Sequence, residues 1–175
     1  MSNGQPSGAQ TGSTTENGAY NLSGTSGNAV AANAINPNTS LAPTYRIPLE
    51  NEWYKAAYYI PYGGGYYYAY ATQSDSAPGT MAGDSLNQAN YNNAFGYATD
   101  GDLFRLTQSF YGTFNQSGNV LQWNDLDGKA GPSRGIRGGD WGYFGPTDVS
   151  SSFRYDDYDL GGEANVIGFR LASPV

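Results

Sequence analysis

Catalytic chemistry has little to work with in this chain. Its 175 residues include no cysteine and no histidine. That removes thiolate nucleophiles, thiolate metal sites and disulfides, along with the commonest general base and the commonest zinc ligand. What remains is carboxylate and amide oxygen. The densest carboxylate cluster is Asp156, Asp157 and Asp159. Paired carboxylates in a cleft do acid–base work. Adjacent ones in a Gly-flanked stretch are ordinarily solvated, so no catalytic role is expected of them. Amide oxygen gathers at Asn87, Asn90, Asn92 and Asn93. Such side chains form turns, because they bond nearby backbone groups.

Contact chemistry is better supplied. Between Trp141 and Gly168 stand Tyr143, Phe144, Thr147, Asp148, Tyr155, Asp156, Asp157, Tyr158 and Asp159. Rigid aromatics among small polar residues make a binding surface, the aromatics giving area and the polar groups giving fit. These nine are the candidate ligand contacts. Tyr143, Phe144, Tyr155 and Tyr158 serve equally well as rings packed on the domain. A net charge of −7 opposes binding to a phosphate backbone, so no nucleic-acid partner is expected. No apolar run is long enough to span a bilayer, so no membrane insertion is expected.

Elements must position these residues. Hydrophobic residues make up 38% and charged residues 13%, with 25 Gly and 16 Tyr, so turns and irregular loops should outweigh helix. Residues 1–42 are Gly-, Ser- and Asn-rich, which by composition suits a disordered leader as well as an ordered segment. Residues 43–175 read as the domain. The stretch Arg46-Ile47-Pro48-Leu49-Glu50-Asn51-Glu52-Trp53 predicts a helix start, with Pro48 near the first turn and acids facing the dipole. Trp53, Ala56 and Ala57 form its inward stripe, and Pro61 and Gly63 should stop it. The Gly63–Gly65 run predicts a turn, and Tyr66–Tyr70 a strand. Further strands are expected at 118–123, 134–141 and 166–171. Trp141 and Phe169 read as core, and Arg137 and Arg170 as structural cations facing carbonyls or buried acids. The sum is an α+β domain with one helix, short strands and much loop.

Four segments in order carry a resemblance. They are Arg46–Trp53, then Gly118-Asn119-Val120-Leu121-Gln122-Trp123, then Arg137-Gly138-Gly139-Asp140-Trp141, and last Gly168-Phe169-Arg170. This order is similar to the formylglycine-generating enzyme (sulfatase-modifying factor) family, over about residues 44–173. The resemblance implies a C-type-lectin-like fold of short, twisted, mostly antiparallel strands. Asn3-Gly4-Gln5-Pro6 resembles a stretch that lies inside the domain in exported bacterial members. That implies residues 15–42 partly ordered and packed on a domain lacking its usual first part. Residues 1–30 show no signal-peptide pattern. That leaves room for an export signal on a longer precursor, and the expected place of work is extracellular or surface-displayed.

Catalytic members of that family use a cysteine pair, and related sulfoxide synthases a histidine cluster; this chain has neither. The resemblance also implies calcium sites made of Asn, Asp and carbonyl oxygens. Their counterparts here are Asn115, Gly118, Val120 and Gln122, and Asn90, Tyr91, Asn93 and Phe95. Gln122 stands where the family has Glu, and Asn93 where it has Asp. The stretch between Trp141 and Gly168 forms the ligand-facing surface of the fold. It resembles the variable region of proteins diversified by retroelements, where mutated Asn codons yield Tyr, Asp, Ser, Gly, Thr and Phe. The expected function is ligand binding, to a protein or a glycan, with a structural subunit of an extracellular assembly as the alternative. The two differ in whether the chain self-associates.

Overall fold

A computed structural model describes residues 18–21, 30–36, 39–142, 145–159 and 164–173. Helix α1 spans Glu50–Tyr58. Its start is half of a capping box: a Glu52 carboxylate oxygen accepts the Leu49 N–H at 2.8 Å, but Leu49 has no side-chain oxygen to return the bond. The buried face carries Trp53, Ala57 and Tyr58, with Ala56 only half-buried. The helix ends before Pro61. Tyr59 turns extended so that strand β1 (Tyr59–Ile60) can pair with β2 (Tyr66–Tyr67) across a tight turn at Tyr62–Gly64. The tyrosine-rich stretch is therefore a Gly turn and a short hairpin. Tyr54 of α1 packs its tilted ring against Tyr67 of β2 at 5.2 Å.

The main sheet has four strands in the order β5-β4-β3-β6: β3 is Leu121–Asn124, β4 Ser133–Arg137, β5 Tyr155–Asp159 and β6 Ile167–Phe169. Neighbours are antiparallel except β6, which runs parallel to β3. Three of these strands fall where expected, but are shorter. Gly118 and Asn119 have φ of 81° and 69°, so the Gly118 segment begins as a turn and extends only from Leu121. Gly138 and Gly139 have φ of 97° and 69° and end β4 after Arg137. Strand β5 lies where sequence pattern pointed to loop, because Tyr155-Asp156-Asp157-Tyr158-Asp159 lacks a period-two alternation and is extended by its pairing with β4.

Buried ion pairs tie the layers. Arg137 pairs with Glu50 of α1, and donates to the Ser151 and Phe153 carbonyls at 3.0 and 2.8 Å. Arg134 lies 2.5 Å from Asp125, both almost fully buried. Burial raises the Asp125 carboxyl above the usual carboxylate range even though Arg134 pulls it down. The Tyr20 hydroxyl donates to Asp125 at 3.1 Å and accepts the Ile47 N–H at 3.1 Å. Tyr20 also bridges Ala32, and Arg134 donates to the Val30 carbonyl, so these described residues of the N-terminal segment lie against the sheet.

Candidate functional site

Strand β4 organises the Tyr- and Asp-rich surface. Tyr158 sits opposite Arg134 and Tyr155 opposite Ile136, with a bulge between them. Beyond the end of β4, Gly139 lies beneath the tight turn Pro146–Val149, which carries Thr147 and Asp148. A Cβ at Gly139 would come within 2.4 Å of the Asp148 carbonyl oxygen, so only glycine fits. The Arg137-Gly138-Gly139 motif thus touches both segments, Gly139 at the Pro146–Val149 turn and Arg137 at the Ser151 and Phe153 carbonyls. Ser117 fixes the turn from below by donating to the Val149 carbonyl at 2.8 Å.

The candidate residues do not share one role. Tyr155 is 50% exposed, and Asp156 and Asp157 are exposed beside it. Tyr158 is half-buried, its ring edge-on to Trp123 at 5.4 Å, so its main work is packing. Thr147 is exposed and Asp148 half-buried. Asp159 pairs with Ser133 at the end of β5. Tyr143 and Phe144 lie outside the described residues. Arg154 was not singled out by sequence. It stands 3.6 Å from Glu50 and 3.5 Å from Asp156, linking the exposed strand to the buried Arg137–Glu50 pair. No motif marks it; only the strand pairing brings it there.

Two core assignments need correction. Phe169 is 67% exposed, because β6 is a sheet edge with nothing across it among the described residues. Trp141 is half-buried, its N–H bonded to the Asn119 carbonyl at 3.0 Å and its carbonyl accepting from Asn93 at 2.8 Å. Arg137 and Arg170 are structural as expected. Arg170 donates to Gln122 Oε1 at 2.5 Å and to the Phe114 carbonyl, and burial lowers it to about 10.

The asparagines serve mainly as turn formers. Asn87, Asn92, Asn93, Asn115 and Asn119 all have positive φ, where Asn is the best tolerated residue after Gly. Asn115 Nδ2 donates to the Gly101 carbonyl at 3.1 Å. Gln122 lies inside the Asn115–Val120 turn, its Nε2 donating to the Asn115 and Val120 carbonyls at 2.6 and 3.4 Å. In the other set, Asn93 is exposed, Phe95 packs edge-on to Phe104 at 6.0 Å, and the Tyr91 carbonyl accepts from Ala94 at 3.2 Å. Asn90 Nδ2 donates to the Tyr97 carbonyl at 2.9 Å and to Asn119 Oδ1 at 3.1 Å, while Asn90 Oδ1 is buried without a hydrogen-bond partner. No group of three or more acidic, histidine or cysteine side chains placed to hold a metal occurs among the described residues. A concavity of about 640 Å³ lies between α1 and the C-terminal segment, lined by Trp53, Ala56, Tyr111, Gln116, Arg170 and Leu171.

Among the described residues, one helix, a small four-stranded sheet and long loops anchored by Arg-Gly-Gly define a domain of the formylglycine-generating type, with a C-type-lectin-like fold. The chain belongs to the family described as the sulfatase-modifying factor enzyme 1-like domain, whose model matches residues 10–175. Among solved structures it is similar to Treponema denticola variable protein 1, at 24% identity and a TM-score of 0.52. The match covers 74% of this chain and 47% of that one, so the chain spans about half the length of that protein. No curated protein matches the chain significantly.

Proposed function

We propose that this chain is a non-enzymatic binding domain, displayed on a cell or phage surface, that contacts a protein or glycan through the Tyr- and Asp-rich surface between residues 141 and 168. The observation that carries the reading is the edge of β5. Tyr155 offers half its surface to solvent next to the exposed Asp156 and Asp157, on a backbone held by β4. A rigid aromatic beside acceptors loses little conformational entropy on contact. The lack of Cys and His removes the donors that catalytic relatives use. The fold shared with a variable protein supports diversification of this surface by a retroelement. Sequencing sibling loci tests that directly. Substitutions should concentrate between residues 142 and 165 and spare Arg137–Trp141 and Gly168–Arg170; uniform drift across the chain would end the diversification reading. For binding itself, Tyr155→Ala with Asp157→Ala should abolish capture on a protein or glycan array while leaving the melting temperature unchanged.

A second reading, a structural subunit of an extracellular assembly, draws on β6. Phe169 of β6 and Leu171 just beyond it are 67% and 58% exposed, and Ile167–Phe169 carries no charged residue. Size-exclusion chromatography with light scattering separates the two. A monomer or small oligomer favours the binder, and filaments or large species dispersed by Phe169→Asp favour the assembly.

A further inference from the structure

The turn Phe114–Val120 points three main-chain oxygens toward Gln122 and Arg170. Gln122, 2% exposed, uses its whole hydrogen-bonding capacity there. Its Nε2 donates to the Asn115 and Val120 carbonyls at 2.6 and 3.4 Å. Its Oε1 accepts from Trp53 Nε1 at 3.0 Å and from Arg170 Nε at 2.5 Å. Arg170 closes the group by donating to the Phe114 carbonyl. The amide orientation is forced by these partners. Turned over, its oxygen would face two carbonyl oxygens and its NH₂ would face two N–H donors, so all four contacts would become repulsive.

Convergent carbonyls need a positive partner. A calcium ion would supply one, taking about six to eight oxygens. Here the nitrogen end of Gln122 already faces those carbonyls, and its oxygen is spent on Trp53 and Arg170. Asn115 turns its side chain to Gly101 instead. Arg170 has no carboxylate within ion-pair distance among the described residues, so its charge is met by neutral oxygens alone. A glutamate at this position would add a second acceptor facing the carbonyls and would need a cation between them. A glutamine does not.

We infer that the Gln122 amide, held by Arg170 of the shared Gly-Phe-Arg motif, stands in place of the calcium ion implied by the family at this turn, so that the turn carries its own donor group and holds its shape without metal. This is independent of what the Tyr- and Asp-rich surface binds.

Thermal melts of the full chain test it, in calcium at about 1 mM, the weak end of extracellular calcium sites, and in excess chelator. The wild type should melt at the same temperature in both. Gln122→Met, which orphans the Asn115 carbonyl and Arg170 Nε, should melt roughly 5 °C lower in both. Gln122→Glu should melt lower in chelator and recover with calcium, and it serves as the test if the methionine variant fails to fold. A wild type destabilised by chelator, with that response lost in Gln122→Met, would make Gln122 a calcium ligand and overturn the inference. So would a Gln122→Met variant that melts like the wild type, or a calcium-insensitive Gln122→Glu with the wild-type melting temperature. A calcium response that persists in Gln122→Met, with that variant still destabilised in chelator, places an ion elsewhere and supports the inference.

Discussion

At the residue scale, Gly139 and Arg137 carry the largest single-site costs. Gly139→Ala combines a φ of 69° with a Cβ 2.4 Å from the Asp148 oxygen. It should cost about 3 kcal/mol, read from urea unfolding, and loosen the Pro146–Val149 turn with it. Arg137→Met leaves the buried Glu50 carboxylate with only the half-exposed Arg154, 3.6 Å away, and one Glu50 oxygen is already without a hydrogen-bond partner. The expected loss is roughly 3–5 kcal/mol, and Glu50→Gln in the Arg137→Met background should recover part of it. A double variant no better than the single one would show that the charge is not what matters.

At the element scale, α1 and β5 differ in what secures them. The α1 N-terminus leans on Glu52, which takes the Leu49 N–H and both Arg46 nitrogens. Glu52→Ala should lower stability by about 1 kcal/mol at neutral pH. The hydrogen bonds from Arg46 hold the Glu52 carboxyl below its ordinary value of 4.5, so the benefit is complete above that value and fades as pH falls through the lower folded value. Wild type and variant should therefore converge in acid. Among the described residues, strand β5 is a sheet edge and carries the exposed charges of Asp156 and Asp157. Asp156→Val with Asp157→Thr should leave the fold intact and drive self-association, seen by light scattering.

At the scale of the whole molecule, Tyr20 joins the N-terminal segment to the sheet through Asp125, 105 residues away. Burial, then the Asp125 charge, push its hydroxyl up to about 12 from 10.0. A raised folded value means the stabilisation holds below pH 10.0 and is lost as pH rises toward about 12. Tyr20→Phe should lower stability by roughly 1–2 kcal/mol at neutral pH and flatten the alkaline decline in that window. A variant with the wild-type alkaline profile would assign that decline to other groups.

Much of this was legible in the chain alone. The absence of Cys and His is a chemical fact that no fold can alter. Helix α1, the Gly turn before β2 and three of the four sheet strands follow from Pro, Gly and apolar spacing, which act locally. The Gly pair after Arg137 marks a backbone bend, because no other residue takes those angles cheaply. What local pattern could not supply is partnership across the chain. Residues Tyr155–Asp159 become a strand only beside β4. Phe169 is exposed because β6 forms an edge, and Arg154 matters because strand pairing brings it to Glu50. The Gln122 amide is oriented by Trp53, Asn115, Val120 and Arg170, residues up to 69 positions away from it. Composition determined which side-chain chemistry this chain lacks, and spacing where the helix starts and stops, because those depend on residue type. The tertiary structure decided which tyrosine is offered and which is packed, and what faces the Asn115 turn, because those depend on neighbours brought together only by folding.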